Sequence, residues 1–137
     1  MRWIAAWFGA AVVFAGLDAV WLTSTNATLY RPVLAPVLLA GVRPAPAVLF
    51  YLVYLTGTVI LAVGPALKAG RWSVAARQGA LFGFFAYATY DLTNFATLAV
   101  WSTQITVLDL CWGTFLTAVG ATAGYFAGHL ASGAGRR

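Results

Sequence analysis

Between Arg43 and Lys68 the chain carries no charged residue, and between Asp109 and Arg136 it again carries none. Each run exceeds the roughly 20 mostly apolar residues that a helix needs to cross a bilayer. A water-soluble domain has about a quarter of its residues charged. Here 8% are charged and 62% hydrophobic. Disorder is excluded by the same figures, because the chain is rich in apolar residues and poor in charge. The chain therefore reads as a single integral membrane domain, residues 1–137.

Two further segments fit spanning helices, so the expected fold is an all-α bundle of four transmembrane helices over 3–23, 47–67, 78–99 and 105–130. The start, Met1-Arg2 followed by Trp3 to Leu17, has the layout of a signal peptide. No small-x-small cleavage site follows, and the apolar run continues past Asp18 to Leu22. A retained first helix is expected. The connection between helices one and two holds Pro32, Pro36, Pro44 and Pro46. Its middle, Val33 to Val42, is apolar but too short to span, and reads as an interfacial or re-entrant segment. Lys68 to Ser73 forms a tight basic loop, and Trp101 to Gln104 a short uncharged turn.

The net charge of +5 does not point to nucleic acid, since the basic residues flank apolar runs and do not cluster. They report topology. With both termini on one side, that side holds Arg2, Lys68, Arg71, Arg77, Arg136 and Arg137, and the other holds Arg31 and Arg43. The imbalance places both termini in the cytoplasm. Trp3 and Trp72 then fall at the inner interface, and Trp21 and Trp101 at the outer one, where amphipathic rings prefer to sit.

All three acidic residues, Asp18, Asp91 and Asp109, lie inside expected spans. A carboxylate at mid-membrane costs about 2.5–3.5 kcal/mol on insertion scales, so each should face the bundle interior or a wet cavity. Counting 1.5 Å per residue puts them roughly 8, 12 and 6 Å below the outer surface, all in the outer half of the core. Helix two brings Tyr51 and Tyr54 to this layer. Helix three adds Tyr87 and Asn94 on the face of Asp91. Arg31 and Arg43 lie in the connection above and would set the local potential.

Two readings compete. The acids can hold the bundle together through interhelical hydrogen bonds, each worth about 0.6 kcal/mol. Alternatively they line a small polar pocket that binds a cation, relays protons or holds a polar head group. Their convergence from three helices at similar depth favours the pocket.

Gly120, Gly124 and Gly128 in helix four, and Gly79 and Gly83 in helix three, stand at spacings that permit close helix approach. They suit packing within the bundle or a homodimer interface. Cys111 is read as a small buried hydrophobe, and His129 as a helix-end residue. No metal site or cofactor is expected, since no histidine or cysteine cluster and no nucleotide loop occurs. Two short echoes appear: Asp18-x-x-Trp21 with Asp109-x-x-Trp112, and Phe14-Ala-x-x-Asp18 with Tyr87-Ala-x-x-Asp91. The second would fit two duplicated halves.

Tyr30-Arg-Pro32, Phe50-Tyr51 with Tyr54, Ala62 to Leu67, Gly79 through Asn94, Ala96-Thr-Leu98 and Asp109-x-x-Trp-Gly113 together resemble a small bacterial inner-membrane family known only as a domain of unknown function. The resemblance covers nearly the whole chain. It implies a four-helix inner-membrane protein and supplies no substrate or catalytic residue. The sequence thus supports an uncharacterised membrane protein that binds or passes a small polar or cationic ligand, or protons, in an outward-facing acidic pocket. An accessory subunit of a larger membrane complex, or a membrane enzyme acting on lipid, are the alternatives.

Overall fold

The computed structural model describes residues 1–134. Arg136 and Arg137, which enter the orientation tally, lie outside the described residues. Every regular element within them is helical. Helix α1 is Arg2–Thr25, continued by a π-helical turn Asn26–Tyr30 and a short helix α2, Arg31–Leu34. Helix α3, Pro44–Thr58, continues through a second π turn, Val59–Val63, into α4, Gly64–Ala69. Helix α5 is Trp72–Thr97 and α6 is Thr103–Ala134. These make four long rods, of which Arg2–Leu34, Pro44–Ala69 and Thr103–Gly133 are long and apolar enough to cross a membrane. The fourth, α5, has 26 residues, about 39 Å at the helical rise. Arg77, Gln78, Asp91 and Asn94 dilute its apolar character.

The first rod runs further than the sequence suggested. The helix expected to stop at residue 23 continues to Leu34, straight through Pro32. Both π turns explain how. Each ends two residues before a proline, at Tyr30 before Pro32 and at Val63 before Pro65. Proline has no N–H to donate, and its ring collides with the carbonyl four residues back. A turn widened to i→i+5 bonding moves that carbonyl aside, so the helix passes the proline without breaking. Beyond Leu34 come a turn at residues 35–37 and an irregular stretch to Arg43, with Val37, Leu38, Leu39 and Val42 exposed.

The other two connections are short, for local reasons. Gly70 adopts the left-handed conformation (φ 64°) that closes α4, and the Arg71 N–H donates to the Ala66 carbonyl at 3.2 Å. This is the bond that terminates a helix at a glycine. At the opposite end of the molecule the Ser102 hydroxyl accepts the Ile105 N–H at 3.2 Å, capping α6.

Helix α6 is the centre of the bundle, with α1 on one flank and α5 on the other. Small residues make both contacts close. A Cβ added at Gly124 would stand 2.8 Å from the Ala6 carbonyl, and one at Gly128 would stand 3.1 Å from the Arg2 carbonyl. One at Gly79 would meet the Thr117 carbonyl at 2.7 Å, while Gly83 lies against Gly113 and Thr117. A Cβ at Gly120 would stand 3.5 Å from the Phe14 side chain. All five glycines therefore face neighbouring helices of the same chain. The second rod meets α5 through residues 59–69 and barely through Pro44–Thr58.

Candidate functional site

The buried stripe of α1 is Ala6, Ala10, Phe14 and Asp18, one residue every four. The buried stripe of α5 is Ala75, Gly79 and Gly83, then Asp91, with half-buried Tyr87 between. Four-residue spacing makes successive members neighbours along a stripe that winds slowly round each helix. Both stripes therefore begin small, pass an aromatic ring and end in a carboxyl group. They flank α6, whose own carboxyl, Asp109, is buried at the same end. This end, away from the N-terminus, also holds the α2–α3 connection: Leu29, Leu34 and Ile105 form one cluster there, with Trp21, Tyr30 and Trp101 against it.

Two of the three acids share a cavity of about 340 Å³, lined by Asp18 and Trp21 of α1, Tyr87 and Tyr90 of α5, and Asp109 and Trp112 of α6. Asn26, Tyr30, Leu34 and Leu38 of the extended first rod and its connection border it above. The size falls at the lower end of the range of small-molecule pockets, about 300–1,000 Å³. The two tryptophans stack face to face, centroids 4.5 Å apart and planes within 8°. The repeated Asp-x-x-Trp spacing thus has a structural counterpart. On adjacent helices it brings two indoles together and leaves a carboxyl group one turn from each.

Both lining carboxyl groups are held by tyrosines. The Tyr51 hydroxyl donates to Asp18 Oδ2 at 2.6 Å. The Trp21 Nε1–H donates to the Tyr30 hydroxyl at 2.9 Å, and that hydroxyl donates in turn to Asp109 Oδ1. Each carboxyl group keeps a second oxygen that these bonds leave free. Gly113 shapes the wall, since any Cβ there would run into the Tyr87 ring.

Asp91 stands apart. It is fully buried, both its oxygens lack a hydrogen-bond partner, and it is absent from the cavity lining. It lies within electrostatic reach of Asp109. A buried polar group left unsatisfied costs about 1–3 kcal/mol, so its retention calls for an explanation other than stability.

The remaining expected site residues are dispersed. Tyr54 bonds Thr117, 2.8 Å between hydroxyls, and faces a second cavity of about 410 Å³ with Phe50, Ala86, Tyr87 and Tyr90. Asn94 is half-buried and lines neither cavity. Arg31 and Arg43 are exposed at the distal end, and the partners of Asp18 and Asp109 are tyrosines. Cys111 is exposed rather than buried. It sits two residues, some 200°, around α6 from inward-facing Asp109. Among the described residues no three acidic, histidine or cysteine side chains come together to hold a metal ion.

The sequence reading did not select Tyr30, Trp21, Trp112 or Tyr90 as site residues. Tyr90 was within reach of it, three residues from Tyr87 and so on the same face. Tyr30 was not, because the expected first span stops at residue 23 and leaves it in the connection.

Residues 3–126 match a family model described as "Predicted membrane protein (DUF2177)". No curated protein and no solved structure matches the chain.

Proposed function

The chain belongs to the DUF2177 family of predicted membrane proteins, and from that premise we propose that it binds or passes a small polar or cationic ligand in the cavity at the distal end of its bundle. One observation carries this reading: Asp18 and Asp109 converge on one cavity walled by Trp21, Tyr30, Tyr87, Tyr90 and Trp112. Aromatic faces attract cations through their quadrupole, more strongly when water is excluded. Carboxyl groups in a membrane interior typically serve ligand or proton pathways. The two features suit the same guest. Asp91, buried without a hydrogen-bond partner on the helix that carries Tyr87 and Tyr90, is the candidate to exchange a proton with that layer.

In this reading α5 is the fourth spanning helix, since its length suffices and its buried stripe packs against α6 as that of α1 does. Both termini are cytoplasmic in a bacterial inner membrane, and the cavity faces outward. Val37, Leu38, Leu39 and Val42, exposed beside the cavity rim, lie in the membrane interface. The bilayer is the partner.

The test uses tetramethylammonium as the probe, titrated against the purified protein in phosphatidylglycerol nanodiscs. Tryptophan emission is the readout, because two stacked indoles line the cavity. Saturable quenching is expected in the parent and should weaken at least tenfold in Asp18→Asn and in Asp109→Asn. If all the single Asp→Asn variants fold and respond like the parent, the cavity is not a ligand site. Reporter fusions at each terminus test the orientation.

A further inference from the structure

The cavity of the proposed function has an apolar neighbour. Helix α5 contacts the second rod through residues 59–69 and barely through Pro44–Thr58, so a cleft opens between α3 and the distal half of α5. Its floor is aromatic. The Phe82 ring lies 5.2 Å from that of Tyr54 and would stand 3.1 Å from a Cβ at Gly57. Above this floor is the 410 Å³ cavity, lined by Phe50, Tyr54, Ala86, Tyr87 and Tyr90. Below it an apolar groove of about 480 Å³ continues past Phe50, Val53, Gly57 and Leu61. The exposed side chains along the mouth, Leu49, Phe50 and Val53, are all apolar. In a bilayer this mouth meets acyl chains and not water.

Tyr87 and Tyr90 are the wall common to this cleft and to the cavity of Asp18 and Asp109. An apolar cleft thus lies across the Tyr87 and Tyr90 side chains from an acidic, aromatic chamber. The geometry points to a membrane lipid with an ammonium head group as the occupant, its acyl chain in the cleft and its ammonium between the aromatic rings and the two carboxyl groups. The charge of the chamber selects the head group: an ammonium complements Asp18 and Asp109, and an anionic lipid head repels them. Arg31, exposed one residue beyond Tyr30, is the nearest positive charge along the chain for the phosphate of a zwitterionic lipid. This inference rests on the cavity reading above and deepens it by naming the ligand class and a lateral route of entry.

The experiment exchanges the parent protein into nanodiscs of equal phosphatidylethanolamine and phosphatidylglycerol and counts retained lipids by native mass spectrometry. Phosphatidylethanolamine is expected to be retained at least tenfold over phosphatidylglycerol. In Asp18→Asn/Asp109→Asn the ratio should fall to about one. Ala86→Phe, which fills the cleft, should lose the retained lipid. Phe50→Ser, which puts a hydroxyl in the apolar mouth, serves if the first variant fails to elute as a folded species. Equal retention of the two lipids by the parent, or full retention by a folded cleft variant, overturns the proposal. The two readings separate cleanly. Tetramethylammonium binding without lipid preference leaves the cavity reading standing and removes this one, and the failure of both probes removes both.

Discussion

Tyr30 is the residue on which the distal rim depends most, and replacing it by phenylalanine tests this with a single atom. The ring stays. What is lost is a hydroxyl that accepts from Trp21 Nε1 at 2.9 Å and donates to Asp109. Interhelical hydrogen bonds in membrane proteins average about 0.6 kcal/mol with an upper end near 1.7. Two such bonds come to about 1.2 kcal/mol. Trp21 and Asp109 then each lack a partner in a poorly hydrated place, which pushes the expected loss toward about 2 kcal/mol. Tyr51→Phe removes one bond, to Asp18, and should cost about half as much. A double-mutant cycle joining Tyr30→Phe with Asp109→Ala isolates the pair, and its coupling should fall between about 0.6 and 1.7 kcal/mol. The assay is reversible unfolding of purified protein in bicelles titrated with dodecyl sulfate. A coupling indistinguishable from zero, or a larger loss for Tyr51→Phe than for Tyr30→Phe, would refute the claim that the first rod's extension is tied down through this hydroxyl.

Four other outcomes are expected. Gly124→Leu drives a side chain into the Ala6 backbone, 2.8 Å from the new Cβ, so it should destabilise by about 3 kcal/mol or more or prevent folding. Gly16→Leu, with nothing within 4 Å, should be nearly neutral in the same unfolding assay. Asp91→Leu removes an unpartnered buried carboxyl group and should raise stability by about 1 kcal/mol; a loss of stability would show that the carboxyl group has a structural partner. Exposed Cys111 should react with N-ethylmaleimide in detergent and resist a charged, membrane-impermeant thiol reagent in intact vesicles, and ready modification by the latter would place that face of α6 in water.

The four long helices were legible from the sequence because they follow from counting: long runs with few charges, and residues per ångström of rise. The expected spans 47–67 and 105–130 lie within Pro44–Ala69 and Thr103–Ala134. Azimuth was harder. Asp18, Asp91 and Asp109 were expected in one layer, and only Asp18 and Asp109 line the cavity. The difference lies in which way each stripe turns as it reaches α6, and that depends on crossing geometry that no single helix encodes. Arg31 and Arg43 were placed above the acids by their position in the connection. The π turn before Pro32 changed that connection into helix and brought Tyr30 to Asp109 instead. A proline usually ends a helix, so nothing local announced the extension.

The cavity follows from a gradient of side-chain size along two helices. On α1 the inward residues are alanine, alanine, phenylalanine and aspartate. On α5 they are alanine, two glycines, tyrosine and aspartate. Near the N-terminal end the small members let α1 and α5 close on α6 to backbone contact, as the spacing at Gly124 against α1 and at Gly79 of α5 against Thr117 shows. Helices packed that tightly have no room for a ligand, and the contact there is dispersive and dry. Toward the other end Phe14 and Tyr87 intervene between the backbones. Gly120 gives way to Phe14 and Gly113 to Tyr87, and the remaining aromatic bulk spreads the helices. Space between spread helices in a membrane is filled by lipid unless polar groups make it a site. Asp18 and Asp109 stand at the start of that widened region, already oriented by Tyr51 and Tyr30. One periodic pattern thus closes one half of the bundle and opens the other, and the acids fall where it opens.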